Sequence, residues 1–279
     1  MKKAILIGCN YPNTSYQLYG CINDINTMKN ILKKYFNYID SEIIIMTDNL
    51  STSSNFYPTK NNIMNILKNT FMNTDEKIYV HYSGHGSNIF DINRDELDRY
   101  DECIIPTDYN NGKNIIIDDD LYALFTNLRA SCQLFISLDC CMSGTMCDLN
   151  YCFNYNNNTK KFNTINTGFK NIYETKNIIS FSAVQDNQYA LDVYANGKAQ
   201  GAFTMAINNV LNKYGNISSL NVFFTNVYND LILNGYTSMK PLISSSKNIN
   251  LSNMKFAFAK SPIIIPIKNN KKILLKKNN

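Results

Sequence analysis

Residues 78–86 read Ile-Tyr-Val-His-Tyr-Ser-Gly-His-Gly: a run with the apolar, β-branched character of a buried strand as far as Tyr82, then a turn that holds a histidine between two glycines. Four other runs share the first half of that pattern: Ala4 to Gly8, Ile43 to Met46, Leu134 to Leu138 and Ile178 to Ala183. Short continuous apolar stretches closed by turn residues suit strands covered on both faces. Between them apolar residues recur at helical spacing, at Ile22, Ile25, Met28 and Leu32, at Ile63, Ile66, Leu67 and Phe71, and at Leu121, Leu124, Phe125 and Leu128. Two more helices are expected near 202–214 and 220–233. Strand and helix alternate, which predicts an α/β fold: a mainly parallel central sheet with helices on both faces and right-handed crossovers. One domain is expected over residues 1–262, with an Asn-rich surface loop at about 150–177 and a basic, solvated tail at 263–279.

Composition narrows the function. The chain has 279 residues, 44% hydrophobic and 18% charged, which fits a packed globular core and excludes a wholly disordered chain. The net charge of +5 owes much to the closing lysines, and no aromatic-interleaved basic module accompanies it, so nucleic acid is not an expected partner. The apolar run after Lys2 and Lys3 ends at Asn10, too short for a signal peptide, and no run approaches a membrane span. A cytoplasmic location and reduced thiols are therefore expected for the eight cysteines. Cys140, Cys141, Cys147 and Cys152 cluster in sequence without the paired spacing of a structural zinc site.

In parallel α/β sheets the functional groups gather beyond the carboxyl ends of the strands. Three segments stand there: Gly20-Cys21-Ile22-Asn23-Asp24, His81-Tyr82-Ser83-Gly84-His85-Gly86, and Asp139-Cys140-Cys141-Met142-Ser143-Gly144. The chain has two histidines. His81 falls within a strand and is expected to be a hydrogen-bonded core residue, whereas His85 lies in the glycine turn, open to a ligand. A thiol after one strand and an imidazole after another form a nucleophile and base pair. Periodicity does not choose between Cys140 and Cys141. Asp24 and Asp139, a pair of carboxylates beside the dyad, would attract a basic side chain, and no arginine stands on the rim to receive an acidic one.

The segments HYSGHG (81–86) and DCCMSG (139–144) resemble the histidine and cysteine motifs of metacaspases, and KKAILIGCNYP, GCINDI, YDECIIPTDY, IIDDDL, QGAFTMAI and KPLISSS resemble further metacaspase segments in the same order. That resemblance implies a caspase-like three-layer sandwich and a cysteine endopeptidase, with Cys141 as nucleophile, His85 as base, and the amides of Gly86 and Cys141 facing the oxyanion. It adds Cys21 and Ser83 to the pocket of Asp24 and Asp139. It also implies an activating Ca2+ held by Asp101, Asp118, Asp119 and Asp148, where hard oxygen donors come from separated loops. Asp118 to Asp120 would equally serve to cap a helix. The stretch Asp91 to Glu102 imitates an EF-hand loop but has Glu96 where that loop needs glycine, so an EF-hand is rejected. Metacaspases usually carry His after the nucleophile, and this chain has Met142. The chain resembles a bare catalytic core without an amino-terminal extension.

The expected activity is calcium-dependent cleavage after Arg or Lys by a monomer, with self-processing at Lys160 or Lys161 in the 150–177 stretch. The alternative is a catalytically impaired relative that serves as a binding or scaffold module. A nucleotide-binding α/β protein is disfavoured, because nothing between Gly8 and Gly20 forms a phosphate loop.

Overall fold

The computed structural model describes residues 1–91, 99–156, 158–168, 175–186, 188–215 and 219–255. In chain order the elements are β1 (Lys2–Gly8), α1 (Cys21–Phe36), β2 (Ile43–Thr47), α2 (Lys60–Asn73), β3 (Lys77–Ser83), β4 (Gly86–Phe90), β5 (Tyr100–Ile104), β6 (Ile116–Ile117), α3 (Asp118–Phe125), β7 (Gln133–Asp139), β8 (Tyr151–Asn156), β9 (Lys161–Asn166), β10 (Asn177–Ser182), β11 (Asp192–Ala195), β12 (Lys198–Gly201), α4 (Ala202–Tyr214), α5 (Leu220–Leu233) and β13 (Leu242–Ser245). Every strand and helix expected from periodicity is present.

The central sheet has eight strands in the order β2-β1-β3-β7-β10-β13-β8-β9. β2, β1, β3, β7 and β10 run parallel, and β13, β8 and β9 extend the sheet antiparallel. Alternation along each strand divides the core in two. Ala4, Leu6, Tyr79, Phe135 and Phe181 point to the face covered by α1, α4 and α5. Ile5, Ile7, Ile78, Val80, Leu134 and Ile136 point to the face covered by α2 and α3. Helices therefore cover both faces of one sheet, the layered arrangement that apolar strands and amphipathic helices dictate. Thr59 and Ser219 cap α2 and α5 through the amides of Asn62 and Val222.

One expectation is corrected. The 150–177 stretch is no surface loop throughout: Tyr151–Asn156 and Lys161–Asn166 form the β8–β9 hairpin at the end of the main sheet. Asparagine is a poor strand former, which hid the hairpin, but Cys152 and Phe153 are buried and anchor β8 against β13. Lys160 sits at the hairpin's tip with φ 56°, and its amide bonds the Asn156 carbonyl. The proposed basic tail and the heart of the EF-hand-like stretch lie outside the described residues. All eight cysteines are free thiols. Among the described residues no helix is long and apolar enough to cross a membrane.

Candidate active site

β3 and β7 are neighbours, and Ser83 pairs with Asp139 at their carboxyl ends. The loops that follow leave the sheet side by side, joined where the Gly84 amide bonds the Asp139 carbonyl at 3.5 Å. His85 and Cys141 each stand two residues beyond that pair. Both line one cavity of about 100 Å³, together with Cys21, Asp24, Ser83, Asp139 and Asp192. The three sequence segments singled out for the rim thus meet at one place.

His85 is half-buried, and its Nε2 lies 2.7 Å from the Tyr16 carbonyl oxygen. A carbonyl only accepts, so in the neutral ring Nε2 carries the proton and Nδ1 keeps the lone pair that a base needs. The Cys141 thiol donates to the Ala190 carbonyl at 3.8 Å. No hydrogen bond joins thiol and imidazole among the described residues. Burial, reinforced by the Asp139 charge, pushes the Cys141 thiol up, so it rests protonated and needs a base to become a nucleophile.

Gly86 opens the edge strand β4. Its rung with Ile104 lies next to the hydrogen-bonded rung in which the Ile105 amide donates to the His85 carbonyl, so the Gly86 amide faces away from β5. A Cβ at Gly86 would overlap the Cys141 carbonyl oxygen. Glycine lets the two loops close up and leaves an amide donor beside Cys141.

The floor of the cavity is acidic. Asp24, on α1, accepts from the Ser83 hydroxyl at 2.7 Å and from the Gly201 amide at 2.9 and 3.0 Å. Asp139 accepts from the amide and hydroxyl of Thr204 at 2.9 and 2.7 Å. It therefore caps α4, which lies far along the chain, since no helix follows β7 directly. Gly201 separates the carboxylates: a Cβ there would overlap Asp139 Oδ2 and stand 2.8 Å from Asp24 Oδ2. Burial and then the Asp139 charge push Asp24 well above the usual carboxylate range, and burial pushes Asp139 up to about 6. Each charge disfavours the other, a conflict that a cation between them would relieve.

His81 is wholly buried, bonds the Ser137 hydroxyl at 2.6 Å, and burial pushes it down to about 3, so it is the core histidine expected. Met142 adopts φ 49°, a left-handed conformation that costs a non-glycine residue about 1 kcal/mol and turns the chain sharply after Cys141.

The family model for the metacaspase peptidase C14 domain matches residues 2–150, more than half of the chain. The chain belongs to the metacaspase family. It is 30% identical to Metacaspase-1 of Schizosaccharomyces pombe over 78% of its length, taking in 62% of that protein. It is likewise 30% identical to Metacaspase-1 of Scheffersomyces stipitis over 88% of its length, taking in 70% of that protein. A crystal structure of a Geobacter sulfurreducens protein shares the fold, with a TM-score of 0.64 at 19% identity over 91% of this chain and 96% of that one.

In this metacaspase none of the four aspartates expected to hold calcium lines the cavity of His85 and Cys141. Asp101 lies on β5, Asp118 and Asp119 open α3, and Asp148 follows the nucleophile turn. Asp118 accepts from the amides of Glu102 and Asp119, and burial, then the charges of Asp101 and Asp119, push it up to about 7. Aspartate oxygens are the hard donors that a divalent cation of this kind takes. Among the described residues no three His, Cys, Asp or Glu side chains converge closely enough to hold a metal as they stand. Asp120 is a helix residue instead, accepting from the Ile117 amide and pairing with Lys60.

Sequence reasoning missed Asp192, Gly201, Thr204 and Tyr16. Gly201 and Thr204 lie within the QGAFTMAI segment and were legible as family residues without a role. Asp192, which accepts from the amides of Tyr19 and Gly20 at 3.0 and 3.2 Å, had no signal at all.

Proposed function

We propose that the chain is a calcium-dependent cysteine endopeptidase that cleaves after Arg or Lys, with Cys141 as nucleophile and His85 as base. One observation carries this reading: the cavity walled by Cys141 and His85 is floored by the buried carboxylates of Asp24 and Asp139. Two neighbouring desolvated carboxylates favour a guanidinium or ammonium far more than an apolar or acidic group.

Binding of a basic side chain on that floor sets the following carbonyl against Cys141. The thiol proton passes to Nδ1 of His85 as sulfur attacks, while the bond from Nε2 to the Tyr16 carbonyl holds the ring in its working tautomer. The amides of Gly86 and Cys141 receive the oxyanion. The imidazolium then protonates the leaving amine, and the thioester is hydrolysed by water that His85 deprotonates.

Asp101, Asp118, Asp119 and Asp148 would hold calcium, whose charge would stabilise carboxylates that now crowd one another. β5 and the turn carrying Asp148 flank the nucleophile loop, so tightening them would firm that loop. Self-processing at Lys160 or Lys161 requires the β8–β9 turn to open first, because a protease takes its substrate extended. A monomer acting on cytoplasmic proteins completes the reading.

Hydrolysis of fluorogenic peptides ending in Arg, Lys or Asp, with and without calcium, tests it against Cys141→Ala. Cleavage after Arg or Lys that disappears in Cys141→Ala is expected. Preference for Asp overturns the pocket assignment, and no cleavage of any peptide favours the scaffold alternative.

A further inference from the structure

We propose that Tyr11 is a positioning residue for the general base, fixing both the backbone and the ring plane of His85 through a buried pair of phenols shared with Tyr82. The inference rests on the peptidase reading, and its test keeps the two apart.

The Gly84-His85-Gly86 turn has glycine on both sides of the base, and such a segment has little stiffness of its own. Something else must hold His85. The Tyr11 hydroxyl accepts from the His85 amide at 2.9 Å and donates to the Ile105 carbonyl at 2.6 Å. The Tyr82 hydroxyl lies 3.0 Å from it and donates to the His85 carbonyl at 2.8 Å. Both polar groups of the His85 peptide unit are therefore tied, and the Ile105 amide adds a second bond to the carbonyl. The phenols also press into the turn: a Cβ at Gly84 would stand 2.5 Å from the Tyr82 hydroxyl and 2.8 Å from that of Tyr11. Gly84 is thus the residue that admits the pair.

The Tyr11 ring serves the imidazole directly. Its centroid lies 4.9 Å from that of His85 at an interplanar angle of 31°, while Tyr16 meets His85 edge-on at 6.0 Å and 66°. The aromatic face beside the ring restricts its rotation and favours the imidazolium that forms when Cys141 loses its proton. Tyr11 is itself held firmly. It is buried, its φ is 51°, and its amide bonds the Asp48 carboxylate at 2.6 Å. A tyrosine kept in a left-handed conformation is retained where its side chain is needed in one place.

The test compares Tyr11→Phe with Tyr79→Phe. Tyr79 is an equally buried phenol, bonded to Ser137 at 2.9 Å and removed from the His85 turn, so its loss reports stability alone. Tyr11→Phe is expected to lower kcat about tenfold with KM within twofold, as a small misplacement of a catalytic group does. Tyr79→Phe is expected to leave both unchanged. The second readout needs no activity. The chain has two histidines with two carbon-bound ring protons each, so four such NMR signals arise, and the two of His85 should split or broaden in Tyr11→Phe while the two of His81 stay sharp. Equal loss of kcat in the two variants, or an unchanged His85 signal in Tyr11→Phe, overturns the proposal. If the wild type cleaves no peptide, the peptidase reading fails, and the NMR comparison still decides whether the Tyr11 hydroxyl fixes the His85 turn.

Discussion

Replacing Asp139 by Asn should make the protein more stable and nearly inactive at once. The Asp139 carboxyl has a pKa of about 6 in the folded chain against an ordinary value of 3.8. A folded-state pKa raised above the unfolded one means that the native state binds the proton more tightly, so stability falls as pH rises from about 4 to about 6 and stays low above that. The interval is worth roughly 3 kcal/mol at neutral pH. Asp24, raised by the same burial and by Asp139 itself, adds loss in the same direction. The amide of an Asn can still accept the two bonds that Thr204 gives to Oδ2, so the substitution removes the charge and keeps the cap on α4. The expected result at pH 7.5 is a rise in Tm on the order of 5 °C. A substrate with Arg at the cleaved bond loses one of its two buried partners, a loss of about 3 kcal/mol or roughly 100-fold in kcat/KM. Scanning calorimetry from pH 4 to 8 and peptide kinetics measure the two effects on one preparation. Wild type should lose stability across that range, and Asp139→Asn should lose much less. A lower Tm for the variant at pH 7.5, or Arg cleavage within threefold of wild type, would refute the account of the pocket as a strained carboxylate pair.

The remaining predictions concern the nucleophile, the glycine partition, calcium and self-cleavage. Because the Cys141 thiol is pushed above its ordinary value of 9.0, iodoacetamide labelling followed by peptide mass spectrometry should give a rate that keeps rising beyond pH 9; a plateau already present at pH 7 would show a resting thiolate instead. Gly201→Ala drives a methyl between Asp24 and Asp139 and should raise KM for Arg peptides by about tenfold or more, with thiol labelling of Cys141 unchanged; normal KM would count against this pocket. EGTA should abolish peptide hydrolysis, and Asp148→Ala should shift the calcium requirement at least tenfold upward, whereas activity indifferent to both would end the calcium reading. Mass spectrometry of active protein should find a cut after Lys160 or Lys161 that Cys141→Ala lacks, and a cut that persists in that variant would belong to another protease.

Much of this was legible in the sequence because the central strands announce themselves. Ala4 to Gly8, Ile78 to Tyr82 and Leu134 to Leu138 are buried on both faces, so apolar residues fill them almost continuously, broken only by His81 and Ser137. β8 and β9 were hidden because Asn154, Asn156, Asn163 and Asn166 occupy positions where a strand is half solvated and composition is free. β4 and β11 were hidden by brevity and exposure. That His85 and Cys141 would meet was legible because each follows a recognisable strand, but what supports them was not. Tyr16 acts through a backbone carbonyl, which any residue would supply, and Asp192 reaches the start of α1 from residues far along the chain. Such contacts leave no local periodicity.

The pocket and the dyad have one origin in the pairing of β3 with β7. On the face shared with α1 and α4, the rungs run from Tyr79 and Phe135, through His81 and Ser137, to Ser83 and Asp139. Apolar packing at one end of this ribbon gives way, rung by rung, to buried polar groups at the other. The lower rungs fix the strands against the helices, and that rigidity is what holds Asp139 beside Asp24 although the Asp139 charge raises the pKa of Asp24. The same register starts the His85 and Cys141 loops two residues later at the same height. A shift of β7 by one residue would turn Asp139 to the opposite face and carry Cys141 out of step with His85, so specificity and catalysis would fail together. The alternation that builds the core thus also determines which side chains line the cavity beside Cys141.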